Sequence, residues 1–157
     1  MSNRRYPELA GKHALVTGAA RGFGRAIAMR LADEGATVVV NYRRSMSDAA
    51  ATVEGIEQRG GKAIAIRGDV GKEKSLDKLF AQIAEQLGHL DILVANAAFG
   101  VPGSLVEASE HHWQVTMSAS AWSLISMTQR ALPLMKNGWG RVISITSDGG
   151  QKVIPGY

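Results

Sequence analysis

A glycine-rich turn near the start of the chain has residue types and spacing that suit a phosphate-containing ligand. The apolar run at residues 14–16 leads into Thr-Gly-Ala-Ala-Arg-Gly-Phe-Gly at 17–24, where a helical pattern begins. Backbone N–H groups at such a helix start face an anion, and Gly22 and Gly24 let both a pyrophosphate and the neighbouring strand approach closely. A Walker A loop would need Gly-Lys-Ser/Thr, which is not present. An ordinary tight turn is the alternative, but its place in the first strand–helix–strand unit favours a dinucleotide. The residues predicted to bind it are Thr17, Gly18, Ala20, Arg21, Gly22, Phe23 and Gly24.

Two adjacent arginines stand at the end of the second apolar run, where the type of dinucleotide is selected. Residues 40–45 read Val-Asn-Tyr-Arg-Arg-Ser. Folds that prefer NAD place a carboxylate here to hold the ribose 2′-OH. Because no carboxylate is present and two guanidiniums can contact a 2′-phosphate, the pattern favours NADP(H). Solvated surface arginines are the alternative interpretation. The predicted contacts are Arg43, Arg44 and Ser45, with Arg21 as a third arginine candidate.

An Asp-Val pair, Asp69 and Val70, follows the third apolar run. A carboxylate at the end of a strand can accept a hydrogen bond from an adenine amine, and the valine can cover the ring. Aspartate also caps helices, which is the alternative role. The position at the carboxyl ends of the strands favours the adenine site.

The elements that must position these motifs alternate along the chain. Continuous apolar runs, typical of strands buried on both faces, lie at residues 14–16, 37–40, 63–66, 92–95 and 142–145. Helical periodicity predicts helices over 23–34, 47–59, 74–87 and 109–135, the last broken near Pro133. Such alternation predicts an α/β fold, a Rossmann-like doubly wound parallel sheet of strand order 3-2-1-4-5.

The composition limits the class of protein. The chain of 157 residues suits one domain, and its 45% apolar content supports a core. Cysteine is absent, which excludes disulfides and cysteine metal sites. The net charge of +4 is scattered, so a solvated surface is favoured over nucleic-acid binding. The start of the chain lacks the apolar centre of a signal peptide, and no run reaches the length of a membrane span. We expect a cytoplasmic protein without membrane contact.

Taken together, these motifs resemble the short-chain dehydrogenase/reductase family. The family's Thr-Gly-x-x-x-Gly-x-Gly matches residues 17–24, and its Asp-Val matches residues 69–70. Its Asn-Asn-Ala-Gly after the fourth strand is partly matched at residues 95–98, and the resemblance extends from Leu9 onward. It implies three further cofactor-binding residues, Asn96, Ala97 and Ala98.

The same resemblance implies the catalytic residues. The family's catalytic serine corresponds to Ser147 and its tyrosine to Tyr157. We place the helical asparagine of the family's tetrad at Ser118, where a shorter side chain lacks the amide donors. The tetrad's lysine, which lowers the pKa of the tyrosine, would follow Tyr157. Because a free tyrosine titrates near pH 10 and the fifth strand would be an uncovered edge, we expect the natural chain to continue.

Within the family, the sequence is similar to the NADPH-dependent enoyl-acyl-carrier-protein reductases of this fold. The similarity lies in residues 96–100, in His-Trp-x-x-Thr-Met at 112–117, and in the ten positions between Ser147 and Tyr157. The β-ketoacyl-carrier-protein reductases are the alternative. The loop of Phe99 and Gly100 should border a small-molecule or carrier-bound acyl substrate, where Phe99 either contacts the acyl chain or fills a gap.

Two further expectations concern activity and assembly. The serine at position 118 and the missing lysine motivate a hypothesis of another class, a catalytically silent NADP-binding subunit. The resemblance also implies a homodimer or homotetramer. No metal site is predicted, because the adjacent His111 and His112 would point about 100° apart on a helix.

Overall fold

Five parallel strands form one sheet in the predicted order. The computed structural model describes residues 6–101, 103–136 and 138–154. The sheet order is β3-β2-β1-β4-β5, and every pairing is parallel, as the sequence predicts. The strands are β1 (His13–Val16), β2 (Thr37–Tyr42), β3 (Lys62–Arg67), β4 (Ile92–Ala95) and β5 (Arg141–Ser144).

The helices connect consecutive strands and lie on both faces of the sheet. They are α1 (Gly22–Asp33), α2 (Met46–Glu57), α3 (Glu73–Leu87), α4 (Glu110–Met117) and α5 (Ser123–Ala131). Short 3₁₀ turns lie at Pro7–Leu9, Leu105–Glu107, Leu132–Leu134 and Asp148–Gly150. The described part of the chain contains no helix that is both long and apolar enough to cross a membrane.

The helical region after β4 departs from the predicted single helix over 109–135. It consists of α4 and α5, joined by a π-helical segment at Ser118–Trp122. Apolar periodicity does not reveal such a widened turn, because it inserts one residue without changing the types around it. The predicted break near Pro133 is confirmed, since α5 ends at Ala131 and only a 3₁₀ turn, Leu132–Leu134, follows.

Two apolar layers hold the sheet between its helices. Strand residues alternate between the faces, so Val16 and Val38 pack with α1 and α2, while Leu15 and Val39 pack with α3 and α5. All four of these side chains are fully buried. This packing fixes the carboxyl ends of β1, β2, β3 and β4 at one edge of the sheet, where the predicted cofactor motifs begin.

Candidate functional site

The glycine turn between β1 and α1 has the backbone conformation that its glycines allow. Gly18 and Gly22 have φ angles of 62° and 58°, a region that other residues adopt at a cost. Arg21 is extended, and α1 begins at Gly22, so the first N–H groups of the helix point out of the turn. These unpaired donors and the positive end of the helix dipole suit an anion.

Neighbouring elements hold the turn from outside. The Ala19 N–H donates to the carbonyl of Asn41 at 2.9 Å. The Thr52 hydroxyl of α2 donates to the carbonyl of Ala20, also at 2.9 Å. The turn is therefore fixed by β2 and α2 before any ligand binds.

Gly24 lies where no side chain would fit. An added Cβ would lie 2.6 Å from the Asn96 amide nitrogen, 2.9 Å from the Ala19 Cα, and closer still to the Gly18 carbonyl oxygen. Real Cβ atoms essentially never make contacts this short. The last glycine of the motif therefore lets α1 pack directly against the turn and the end of β4.

Thr17 links the ends of β1 and β4. Its buried hydroxyl accepts from the N–H groups of Asn96 and Ala97, each at 3.0 Å, and donates to the carbonyl of Val94 at 3.4 Å. In return, the Asn96 amide donates to the carbonyl of Thr17 at 2.9 Å. The predicted cofactor residue Thr17 is thus a buried connector, whereas Asn96 also borders the cleft.

A cleft of 510 Å³ opens at this edge of the sheet and brings most of the predicted cofactor residues together. The predicted residues that line it are Gly18, Ala20, Arg21, Arg43, Arg44, Ser45, Asp69, Val70, Asn96, Ala97, Ala98 and Phe99. Four residues that the sequence did not single out also line it, namely Asn41, Tyr42, Gly68 and Ala119.

Three exposed arginines form one charged rim of the cleft: Arg21, Arg43 and Arg44. The guanidinium carbon of Arg43 lies 5.4 Å from the centroid of the Phe99 ring, so this arginine reaches across the opening. Its carbonyl accepts from the Arg67 side chain at 3.1 Å, which fixes the backbone there. The rim presents guanidiniums to a ligand that carries a phosphate.

Asp69 is held in place at the opposite part of the cleft. One carboxylate oxygen accepts from the Gly71 N–H at 3.1 Å, and the Asp69 N–H donates to the Ser75 hydroxyl at 2.8 Å. Val70 beside it is 8% exposed. The pair combines a polar acceptor and an apolar surface, which suits the edge and face of an aromatic base.

Besides Thr17 and Gly24, the predicted residues Gly22, Phe23, Gly100 and Ser118 do not line this cleft. Phe23 is 84% exposed in the first turn of α1, and Gly100 is exposed in the loop after Phe99. Ser118 lines a neighbouring cavity of 630 Å³, which shares Arg43, Arg44 and Phe99 with the cleft.

Ser120, which the sequence did not single out, anchors the predicted substrate loop. Its hydroxyl donates to the carbonyl of Phe99 at 2.8 Å and accepts from the Phe99 N–H at 3.2 Å. Ser120 lies in the π-helical segment, so the widened turn and the loop are joined at one residue. A local motif could not have indicated this residue, because its partner lies 21 positions away.

The predicted catalytic residue Ser147 lies on the side of β5. Ser147 follows that strand, and its hydroxyl accepts from the Gly149 N–H at 3.2 Å at the start of a 3₁₀ turn. Tyr157 lies outside the described residues. The structure therefore describes one of the two residues that the resemblance assigns to proton chemistry.

A charged network ties α3 to the π-helical segment. The pKa of Glu73 is lowered, first by hydrogen bonds from the Trp122 indole and the Ser126 hydroxyl and then by Arg130. The pKa of Arg130 is raised, first by its hydrogen bond to Asp77 and then by Glu73. These residues do not line the cleft, so the network has a structural role.

The fold and the cleft together define a dinucleotide-binding α/β protein. The family model for the short chain dehydrogenase matches residues 12–157. The chain belongs to the short-chain dehydrogenase/reductase family, as the sequence motifs indicate.

Two curated relatives illustrate the range of that family. The 1-cyclohexenylcarbonyl-CoA reductase of Streptomyces collinus is 36% identical over 143 residues, covering 91% of this chain and 51% of the relative. The 3-oxoacyl-acyl-carrier-protein reductase FabG of Staphylococcus epidermidis is 35% identical over 146 residues, covering 92% and 60%. The chain thus spans between about half and three-fifths of the length of these relatives.

Two solved structures are similar over most of this chain. A short chain dehydrogenase from Burkholderia cenocepacia in complex with NADP is 38% identical with a TM-score of 0.88, covering 94% of this chain and 60% of that one. The landomycin C-6 ketoreductase LanV with bound NADP and rabelomycin is 38% identical with a TM-score of 0.87, covering 94% and 62%.

Proposed function

We propose that this protein is an NADPH-dependent reductase and that the cleft binds NADP(H). The observation that carries the proposal is the meeting of the glycine turn with Arg43 and Arg44 at one opening. Both solved structures described above contain NADP, which supports the same cofactor here.

The residues of the cleft fit the parts of that cofactor. The N-terminus of α1 would hold the pyrophosphate, since its first N–H groups are unpaired within the helix. Arg43 and Arg44 would contact the 2′-phosphate, and Asp69 with Val70 would hold the adenine. When bound, NADPH would supply the hydride for reduction.

An enoyl thioester is the substrate that we propose first. The relative from Streptomyces collinus is named a 1-cyclohexenylcarbonyl-CoA reductase, and this carbonyl-CoA group is a thioester, which supports a thioester substrate here. Phe99 and Val101 are each 39% exposed beside the cleft and offer apolar surface to an acyl chain. In this reaction Tyr157 would donate a hydrogen bond to the thioester carbonyl as negative charge develops there, as in an oxyanion hole.

A ketone or ketoacyl thioester is the second candidate. The relative from Staphylococcus epidermidis and the ketoreductase LanV support carbonyl reduction. Tyr157 would then give a proton to the carbonyl oxygen, and Ser147 would orient that carbonyl. The family resemblance is the basis for both proposed roles.

Product analysis with the full-length natural protein separates these candidates. The protein would be incubated with NADPH and either crotonyl-CoA or acetoacetyl-CoA, and the products identified by mass spectrometry. A saturated acyl product supports the enoyl reductase, and a hydroxyacyl product supports the ketoreductase. Tight NADPH binding without turnover of either thioester would instead support the silent subunit, which Ser118 motivates.

A further inference from the structure

Three metal-ligating side chains meet at the edge of the sheet opposite the cofactor cleft. His13 is the first residue of β1, and Asp91 directly precedes β4. Because Ala14 pairs with Ile92 in the parallel sheet, His13 and Asp91 lie level with each other. His89 stands two positions before Asp91 and completes the group. We name His13, His89 and Asp91 the amino-edge cluster.

The ligand atoms of the cluster are close to a metal-binding arrangement. His89 Nε2 lies 3.2 Å from Asp91 Oδ2, and the centroids of the two imidazole rings are 4.2 Å apart. One ligand atom from each of the three residues lies within 4.8 Å of the others. Ligands at about 2.1 Å from a tetrahedral zinc ion are roughly 3.4 Å from one another. Small side-chain rotations would therefore bring all three atoms onto one ion.

Hydrogen bonds already orient two of the ligands. Asp91 Oδ2 accepts from the His13 N–H at 2.8 Å, while the Asp91 N–H donates to the His13 carbonyl at 2.9 Å. His13 Nδ1 lies 3.2 Å from the carbonyl oxygen of His89. A neutral imidazole that donates from Nδ1 to a carbonyl presents the lone pair of Nε2, as metal-binding histidines commonly do.

The Asp91 carboxylate pairs with one cation and turns its other oxygen toward the histidines. Asp91 is 5% exposed, and a buried carboxylate is costly without a cationic partner. Lys12 Nζ lies 3.4 Å from Oδ1 and also 4.3 Å from the centroid of the Trp139 ring. Lys12 thus occupies one carboxylate oxygen, while the other faces the histidines. Its positive charge would oppose a metal ion beside it.

We propose that the amino-edge cluster binds a zinc ion through His13, His89 and Asp91, with water as the fourth ligand. Two imidazoles and one carboxylate form a donor set that zinc accepts in tetrahedral geometry. Because the cluster lies at the amino ends of the strands, the ion would not take part in reduction at the cleft. It would join β1 to the segment before β4 and stabilise the folded state by binding it selectively. The proposal is independent of the proposed reductase activity.

The test is isothermal titration of the full-length natural protein, without a histidine tag, with zinc chloride. We expect one zinc ion per chain and a loss of at least about ten-fold in affinity for both His13→Gln and His89→Gln. The variant His111→Gln/His112→Gln is the matched control, since those rings lie 6.5 Å apart on α4. It should bind zinc like the unaltered protein. Lys12→Gln should bind zinc several-fold more tightly, because an opposing charge is removed.

Several results would overturn the proposal. The proposal is wrong if zinc binding to the unaltered protein does not saturate. It is also wrong if a folded His13→Gln/His89→Gln protein binds zinc with the same affinity as the unaltered protein. Circular dichroism would check the folding of each variant. Lys12→Gln provides a second readout that keeps all three ligands, and an unchanged or weaker affinity there would also contradict the proposal.

Discussion

The glycine-turn side of the sheet and the β5 side differ in side-chain burial and in the number of hydrogen bonds among the residues that the structure describes. Val16 and Thr17 are fully buried, and hydrogen bonds from β2, β4 and α2 hold the turn. On β5, in contrast, Val142 is 40% and Ile143 is 46% exposed, and Ser147 caps a single 3₁₀ turn. The comparison teaches that the residues proposed for cofactor binding and Ser147, proposed for proton chemistry, lie on different parts of the fold. Changes on the first side should alter binding, whereas changes on the second should alter turnover with binding retained.

Gly24→Val should have the largest effect, because it removes the packing on which the first side depends. Its side chain would overlap the Gly18 carbonyl and the Asn96 amide. We expect destabilisation of at least about 1–3 kcal/mol and loss of NADPH binding, measured by denaturant unfolding and by titration. Gly55→Ala in α2 is the control, since its nearest neighbour would lie 3.7 Å away. Gly55→Ala should raise stability by up to about 1 kcal/mol, and equal behaviour of the two variants would contradict the packing role.

Arg43→Gln/Arg44→Gln should weaken NADPH binding and leave NADH binding nearly unchanged. A hydrogen bond to a charged group contributes about 1.5–3 kcal/mol, so the affinity for NADPH should fall by roughly 10- to 100-fold. Fluorescence titration with both cofactors measures the difference. Arg59→Gln is the control, because Arg59 pairs with Asp33 on the surface and does not line the cleft. An equal loss of NADH affinity would show that the arginines do not read the 2′-phosphate.

Thr17→Val keeps the shape of the side chain but removes its hydroxyl, so it should lower the stability of the folded protein. The N–H groups of Asn96 and Ala97 would lose their acceptor, and one unsatisfied buried group costs about 1–3 kcal/mol. Thr17→Ser keeps the hydroxyl and should retain most of the stability. Denaturant unfolding of both variants measures the effect. A serine variant as unstable as the valine variant would contradict the connector role.

Two serines compete for the role that the family resemblance gives to an asparagine. Ser120→Ala removes both hydrogen bonds to Phe99, so we expect the free energy of unfolding to fall by about 0.5–1.5 kcal/mol. Turnover should become slower, while NADPH binding is retained. Ser118→Ala leaves those bonds in place and should have the smaller effect. Steady-state kinetics and cofactor titration of both variants measure the split. A larger loss of turnover in Ser118→Ala would support the predicted placement at position 118 and contradict the role of Ser120.

Glu73→Gln should have the smallest effect, visible mainly in acid. The pKa of Glu73 is lower in the folded protein than its usual value, so the folded state binds this proton more weakly than the unfolded state does. The resulting stability is present at neutral pH and is lost as the pH falls through and below the usual glutamate range near 4.3. In thermal unfolding between pH 7 and pH 3, the unfolding temperature of Glu73→Gln should therefore fall less than that of the unaltered protein. Equal falls in the two proteins would contradict this prediction.

The strands and the glycine turn could be predicted because their signals are local, and the strand order followed from the fold class that the alternation indicates. Buried parallel strands read as continuous apolar runs, and a turn that needs positive φ requires glycine. The arginines of the cleft were equally visible, because the end of a strand is fixed by its pattern. For Gly24, the predicted close approach of a neighbouring strand is confirmed at the end of β4, while its contact with a pyrophosphate stays a prediction.

The remaining features depend on residues that are distant in sequence. The Ser120–Phe99 bonds and the π-helical segment have no signature in apolar periodicity. The amino-edge cluster joins His13 to residues more than 70 positions away, and only the pairing of β1 with β4 brings them together. The Ser120–Phe99 bonds and the amino-edge cluster both depend on tertiary contacts, which a single sequence does not reveal.

The most direct test of the cofactor assignment is to measure the affinities for NADPH and NADH on the same preparation of the full-length natural protein. Arg43 and Arg44 at the rim predict that NADPH binds at least about ten-fold more tightly, since one charged hydrogen bond contributes about 1.5–3 kcal/mol. Equal affinities, or tighter binding of NADH, would contradict the account.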